Sequence, residues 1–190
     1  MSSSTPQGPR PKSVTRRTAL ARRDALSPAE REAASAAIAT RASALLPAGI
    51  VALYAPKGSE VDATVLDTLL RVRGLTVVYP RVIDGQALLE FRVASLDDLV
   101  VGRFGLREPP TTADLVDVLQ ITAFVVPGLA FDREGGRVGW GRGHYDVTLA
   151  AAPAALRIGL AFECQLLDHV PAEPHDMKLH HVITELASYP

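Results

Sequence analysis

The sequence predicts an α/β fold with a largely parallel central sheet and helices on both faces, and three observations carry that expectation. Short runs rich in β-branched and aromatic residues recur at 50–54, 75–79, 121–126 and 156–162, the pattern of buried strands. Helical patterns lie between them, so successive strands need crossover connections, and crossovers make neighbouring strands parallel. With 190 residues and 47% hydrophobic side chains, the chain can bury a core of single-domain size and has little room for two.

Taken in order, the first nine residues, MSSSTPQGP, are small and polar and read as a disordered tail ahead of one domain over 10–190. They lack the apolar core of a secretory signal, and the arginines that follow, which imitate a transit peptide, are soon joined by Asp24, Glu30 and Glu32. Residues 12–25 favour helix, and Lys12 and Arg16, four apart, share a face from which both could reach one polyphosphate. A solvated basic face is the ordinary reading of such a run. Ser27, Pro28 and Glu30 form a capping box with proline at the first helical position, followed by an apolar stripe of Ala34, Ile38, Ala42 and Leu45.

The strand at 50–54 opens into a loop at its carboxyl end, where open α/β sheets bind ligands. Glu60 follows, just before a helix capped by Asp62 and buried through Val65, Leu66, Leu69 and Leu70, with Gly74 as its stop. An acid there ordinarily complements the helix dipole. The strand at 75–79 ends at Pro80, Asp84 and Gly85 turn the chain, and 88–93 alternates as an edge strand. After the 145–151 helix and the 156–162 strand, a polar loop holds Pro174, His175 and Asp176, and a last strand spans 182–185.

The chemistry gathers at 125–146, VVPGLAFDREGGRVGWGRGHYD. Gly139, Gly141 and Gly143 alternate just before a helix start, so backbone N–H groups can face one concavity, and the helix terminus adds positive potential. Arg137 and Arg142 flank them, and Asp146 lies in the first helical turn. This is neither GxxxxGKS nor GxGxxG, and by pattern alone an ordinary turn competes with a phosphate site. Net charge is −1, which removes the broad electrostatic footprint of nucleic-acid or anionic-membrane binders. Cys164 is the single cysteine, so an intramolecular disulfide and a cysteine zinc site are excluded; a cytoplasmic monomer is the expectation.

The string PGLAFDxxGxRxGxGxGxYD resembles the signature of the 5-formyltetrahydrofolate cyclo-ligase family, also called methenyltetrahydrofolate synthetases. The resemblance extends over nearly the whole chain: KSVTR at 12–16, SEVD at 59–62, PRV at 80–82, FGLREP at 104–109, then AFECQ, VP, HD and TE toward the end. It implies a three-layer α/β sandwich and the ATP-dependent conversion of 5-formyltetrahydrofolate to 5,10-methenyltetrahydrofolate, ADP and phosphate. It further implies that ATP is held by Lys12, Arg16 and the loop Arg137, Val138, Gly139, Trp140, Gly141, Arg142, Gly143, His144 and Tyr145. Arg142 and Tyr145 would act in catalysis, Mg²⁺ would rest on Asp146 and Asp176, and Tyr54, Glu60, Phe104 and His144 would contact the folate. His144 stands where members usually carry Tyr or Phe, and Val147 where they commonly carry Arg. The competing classes are a binding paralogue without turnover and a nucleotide-dependent enzyme acting on another heterocycle.

Overall fold

A computed structural model of the chain describes residues 11–102 and 105–190. The expected tail at 1–9 and Phe104 lie outside the described residues. The chain runs α1 (Lys12–Asp24), α2 (Pro28–Leu45), β1 (Ile50–Ala52), α3 (Thr64–Val72), β2 (Thr76–Arg81), β3 (Glu90–Val93), β4 (Val100–Val101), β5 (Arg107–Glu108) and β6 (Leu115–Val116). It continues through β7 (Ile121–Val126), β8 (Ala130–Asp132), β9 (Arg137–Val138), α4 (His144–Ala151), β10 (Leu156–Leu160), β11 (Leu166–Leu167), β12 (His181–Ile183) and β13 (Ser188–Tyr189).

Eight strands form the central sheet in the order β13-β12-β10-β7-β1-β2-β3-β6. The five inner strands from β12 to β2 are mutually parallel, and β13, β3 and β6 add antiparallel edges. Alternation along β7 distributes the core to two faces. Ala123 and Val125 pack with Ile38, Leu66 and Leu70 of α2 and α3, whereas Phe124 and Val126 pack with Leu149 of α4 and with Phe91. Phe91 meets Phe124 edge-to-face at 5.5 Å. The fold is therefore the expected three-layer α/β sandwich.

The capping box forms as expected. Ser27 Oγ accepts from Glu30 N at 3.2 Å, and Ser27 N donates to Glu30 Oε2 at 2.8 Å. Ser27→Ala should therefore cost about 1 kcal/mol, read as a lower midpoint in urea unfolding followed by circular dichroism. The buried stripe of α2 is Ile38, Ala39 and Ala42, with Leu46 just beyond the helix, while Leu45 is 40% exposed. In α3 the buried positions are Leu66, Asp67 and Leu70, and Val65 is 42% exposed. Asp62 closes a turn onto Thr64 N at 2.9 Å, one residue ahead of the N-cap, Ala63.

Two strand expectations are corrected. β2 continues through Pro80, which pairs with Phe91 of β3. Val78 O faces β1, accepting from Leu53 N, so the nitrogen of Pro80, two residues on, faces the same way. β1 has already ended there, and no ladder hydrogen bond is lost. β3 is not an edge, because β6 covers its outer side. The glycine-rich stretch after β7 contains the β8–β9 hairpin, part of a separate three-stranded sheet with β11. Against that sheet α1 lays Ala19, beside Leu129, Ala130 and Val138.

Candidate active site

The chain passes from β1 to β2 on one side of β1, then returns to place β7 on the other. Such a switch point leaves a crevice outside the carboxyl ends of the strands. A cavity of about 510 Å³ opens there, lined by Tyr54 and Ala55 after β1, Pro80 and Val82 at the end of β2, and Pro127 after β7. Its size falls within the usual range of small-molecule sites, roughly 300–1,000 Å³.

The glycine-rich loop is delivered to this cavity by buried polar anchors. The amide of Gln165 donates to Gly128 O at 3.1 Å and Leu129 O at 2.9 Å, fixing the chain as it leaves β7. Asp132, 5% exposed, closes the hairpin by accepting from Gly136 N at 2.7 Å and takes Val170 N at 3.0 Å. The loop then enters α4 through Gly143, which adopts φ 73° as N-cap and provides no side-chain cap. The first-turn N–H groups of α4 thus lack a capping side chain where an anion would be favoured.

Helix α1 packs over the loop. Arg16 Nε donates to Gly139 O at 2.8 Å, and a β-carbon on Gly141, whose φ is 87°, would lie 2.8 Å from Arg16 Nη2. Lys12 Nζ sits 2.7 Å from Asp176 Oδ2 and 3.0 Å from Glu173 Oε2. Burial alone would lower the pKa of Lys12, but the hydrogen bonds it donates to Asp176 and Glu173 raise it above the usual lysine value. For Asp176 burial pushes upward, and the Lys12 hydrogen bond with the Glu173 N–H carries the net shift downward.

Arg137 is nearly enclosed, with a 6% exposed side chain. Its Nη2 donates to Asp146 Oδ1 at 3.1 Å, its Nη1 reaches Pro127 O at 3.4 Å, and its guanidinium lies 5.7 Å from the Tyr145 ring centre. Asp146 Oδ1 also accepts from Met177 N at 3.2 Å, which places the two aspartate-bearing segments side by side. Each carboxylate has a fixed cationic neighbour, Arg137 for Asp146 and Lys12 for Asp176. Oxygen donors of Glu173 and Asp176 nevertheless cluster with His175 within 4.8 Å of one another.

Glu60 lies in the wall, its Oε2 accepting from Lys57 N at 3.0 Å and its Oε1 from Trp140 Nε1 at 3.3 Å. Burial pushes its pKa up against the pull of Lys57 N–H, Arg23 and Trp140. The Tyr54 hydroxyl is spent on Val61 O at 2.9 Å, so this residue contributes its ring to the cavity. Burial first, then Glu60, raises its pKa well above the usual phenol value. His144 Nδ1 lies 2.9 Å from Ala87 O; a carbonyl only accepts, so Nδ1 carries the proton and donates. Val138 and Arg142 also line the cavity, while Val147 is 44% exposed on α4.

All the sequence-derived candidates among the described residues therefore line one cavity. Sequence reasoning missed Lys57, Arg107, Glu108, Glu173 and His175 in its walls. Glu173 and His175 could have been flagged because they flank Pro174 in the same short polar loop as Asp176. Glu108 lay within the FGLREP stretch; it is 2% exposed, takes Val82 N at 3.2 Å on one oxygen and, among the described residues, leaves the other without a hydrogen bond.

The model of the 5-formyltetrahydrofolate cyclo-ligase family matches residues 10–185. The chain belongs to that family. It is 38% identical over 184 residues to the 5-formyltetrahydrofolate cyclo-ligase of Mycolicibacterium smegmatis, spanning 93% of this chain and 94% of that relative. Its identity to the cyclo-ligase of Escherichia coli is 30% over 173 residues, 86% of this chain and 94% of that one. Among solved structures, the 5,10-methenyltetrahydrofolate synthetase of Aquifex aeolicus superposes with a TM-score of 0.80 at 30% identity, covering 94% of this chain and 91% of that protein. The synthetase of Mycoplasma pneumoniae superposes at 0.76 with 25% identity, covering 93% and 99%. With membership in the cyclo-ligase family comes its reaction, the ATP-dependent closure of 5-formyltetrahydrofolate to 5,10-methenyltetrahydrofolate. Among the described residues no helix is long and apolar enough to cross a membrane.

Proposed function

We propose that the cavity carries out this cyclo-ligase reaction, with the nucleotide phosphates on the glycine-rich loop and the pterin against Glu60. The observation that supports it is the meeting, around one crevice, of the α1 cations Lys12 and Arg16, the glycine-rich loop, the uncapped start of α4 and the carboxylate of Glu60.

A formyl group on nitrogen is a poor electrophile because its carbonyl is amide-like. Its oxygen attacks the γ-phosphorus of ATP, the bridging P–O bond breaks and ADP departs. Nitrogen 10 then adds to the formyl carbon, the C–O bond to phosphate breaks, and the nitrogen 10 proton is released as the ring closes. The protein's part is positioning and charge stabilisation. Backbone N–H groups from Gly139 to Gly143 and the start of α4 bind phosphate oxygens; Lys12, Arg16 and Arg142 supply positive charge. The Tyr145 ring, braced by Arg137, and the His144 ring, tethered to Ala87 O, shape the wall where the formyl group meets the phosphate. The carboxylate oxygens of Asp146 and Asp176 suit Mg²⁺, which would neutralise phosphate charge there.

Incubation of the purified protein with ATP, Mg²⁺ and 5-formyltetrahydrofolate should produce the absorbance of the methenyl product, with ADP formed in equal amount. ATP binding without that product would leave a binding paralogue instead. ATP consumption with another heterocycle alone would assign a different substrate.

A further inference from the structure

Trp140 joins two parts of the cavity that the reaction uses separately. It stands between Gly139, whose carbonyl is held by Arg16, and Gly141, which lies under the same guanidinium. Its backbone is thus pinned by α1, and its side chain, 54% exposed, reaches across to the turn after β1. There the indole N–H donates to Glu60 Oε1 at 3.3 Å. The turn is closed on itself, with Lys57 N donating to Glu60 Oε2 at 3.0 Å and Glu60 N to Lys57 O at 3.3 Å.

An ionised carboxylate offers about four lone-pair sites. Lys57 N–H takes one on one oxygen and the Trp140 indole takes one on the other. Rotation about the last side-chain bond is thereby fixed, and among the described residues one lone pair remains on each oxygen. That remainder matches a heterocycle edge with two adjacent N–H donors, which the 2-amino-4-oxopyrimidine ring of a pterin presents. We propose that Trp140 is a positioning residue that orients the Glu60 carboxylate for the pterin edge and ties that orientation to the glycine-rich loop. This rests on the reading of Glu60 as a pterin ligand. Glu60 is half-buried, and buried Arg23 holds the adjacent Ser59 through Nε to Oγ at 2.9 Å, so the orientation of the carboxylate matters more than it would in open water.

The test is a double-mutant cycle on the full chain, with kinetics read separately for the two substrates. Trp140→Phe keeps an aromatic ring and loses the donor. It should raise the KM for 5-formyltetrahydrofolate roughly three- to tenfold, the range expected for one partly exposed hydrogen bond, and by more than it changes the KM for ATP, because the backbone N–H of residue 140 is kept. Glu60→Ala should raise the folate KM further, and adding Trp140→Phe to it should change nothing more. A residue that merely packed against the substrate would multiply its effect onto Glu60→Ala, and that result, or an unchanged folate KM in Trp140→Phe, overturns the proposal. Trp140 is the single tryptophan, so its emission gives a second reading without turnover. Glu60→Ala should shift that emission in the ligand-free protein, and no shift refutes the contact whether or not the cyclo-ligase reaction is observed. Wild-type protein that shows the emission shift on mutation yet makes no methenyl product sinks the functional reading alone.

Discussion

Replacing Gly141 with valine should lower ATP affinity and kcat/KM by on the order of a hundredfold in a protein that still folds, the scale expected when binding groups are displaced by about 1 Å. Gly141 adopts φ 87°, a region that β-branched residues occupy only under strain. The new β-carbon would also sit 2.8 Å from Arg16 Nη2. The guanidinium is flexible and would move, but moving it pulls Nε from Gly139 O, its 2.8 Å partner. One substitution therefore distorts the loop backbone and releases the α1 cation packed over it. The hydrophobic clusters on the two faces of the sheet do not include Gly141, so the melting temperature should fall only modestly. Calorimetric titration with a non-hydrolysable ATP analogue, alongside a thermal melt, separates the two effects. Wild-type affinity in the folded variant would remove this loop from the phosphate site.

Asp176→Asn should reduce turnover by about tenfold or more, because it removes the nearer and less exposed of the two carboxylates on Lys12, in a pair whose side chains are only 17% and 18% exposed, and leaves the half-exposed Glu173 alone. Removing one partner of a part-buried pair costs about 1–3 kcal/mol, much of it from the charge left behind. The dependence on Mg²⁺ distinguishes two roles. If Asp176 holds the cation with the nucleotide, half-saturating Mg²⁺ rises in Asp176→Asn and again in Asp146→Asn. If Asp176 only seats Lys12, the KM for ATP rises while the Mg²⁺ dependence stays put. Asp146→Asn keeps an oxygen for Met177 N but loses the ionic partner of Arg137, so its melting temperature should also be compared. Mg²⁺ titration at saturating ATP is the decisive measurement.

What the sequence by itself determined follows from interactions that reach only a few residues. The capping box of α2 joins Ser27 to Glu30 within one turn, so residue identity suffices to place the helix start. The apolar runs at β1, β2, β7 and β10 could be read because strands buried on both faces need apolar side chains at every position. The glycine-rich loop could be located from its alternating glycines, but they fit an ordinary turn as well as a phosphate site, and the motif string carried the family.

Only the tertiary structure decided which charges meet. Lys12 reaches Asp176 across 164 residues, Arg16 reaches Gly139 across 123 and Trp140 reaches Glu60 across 80. Periodicity names the face of an element but not the partner opposite it. Those partners are set by strand order, which puts β7 beside β1 and brings both carboxyl ends to one crevice. The same global order makes Pro80 tolerable in β2, because β1 ends before its missing N–H would be needed, and covers β3 with β6, two residues long. It also brings a cation to each aspartate, Arg137 of β9 to Asp146 and Lys12 of α1 to Asp176, partners that no local pattern names.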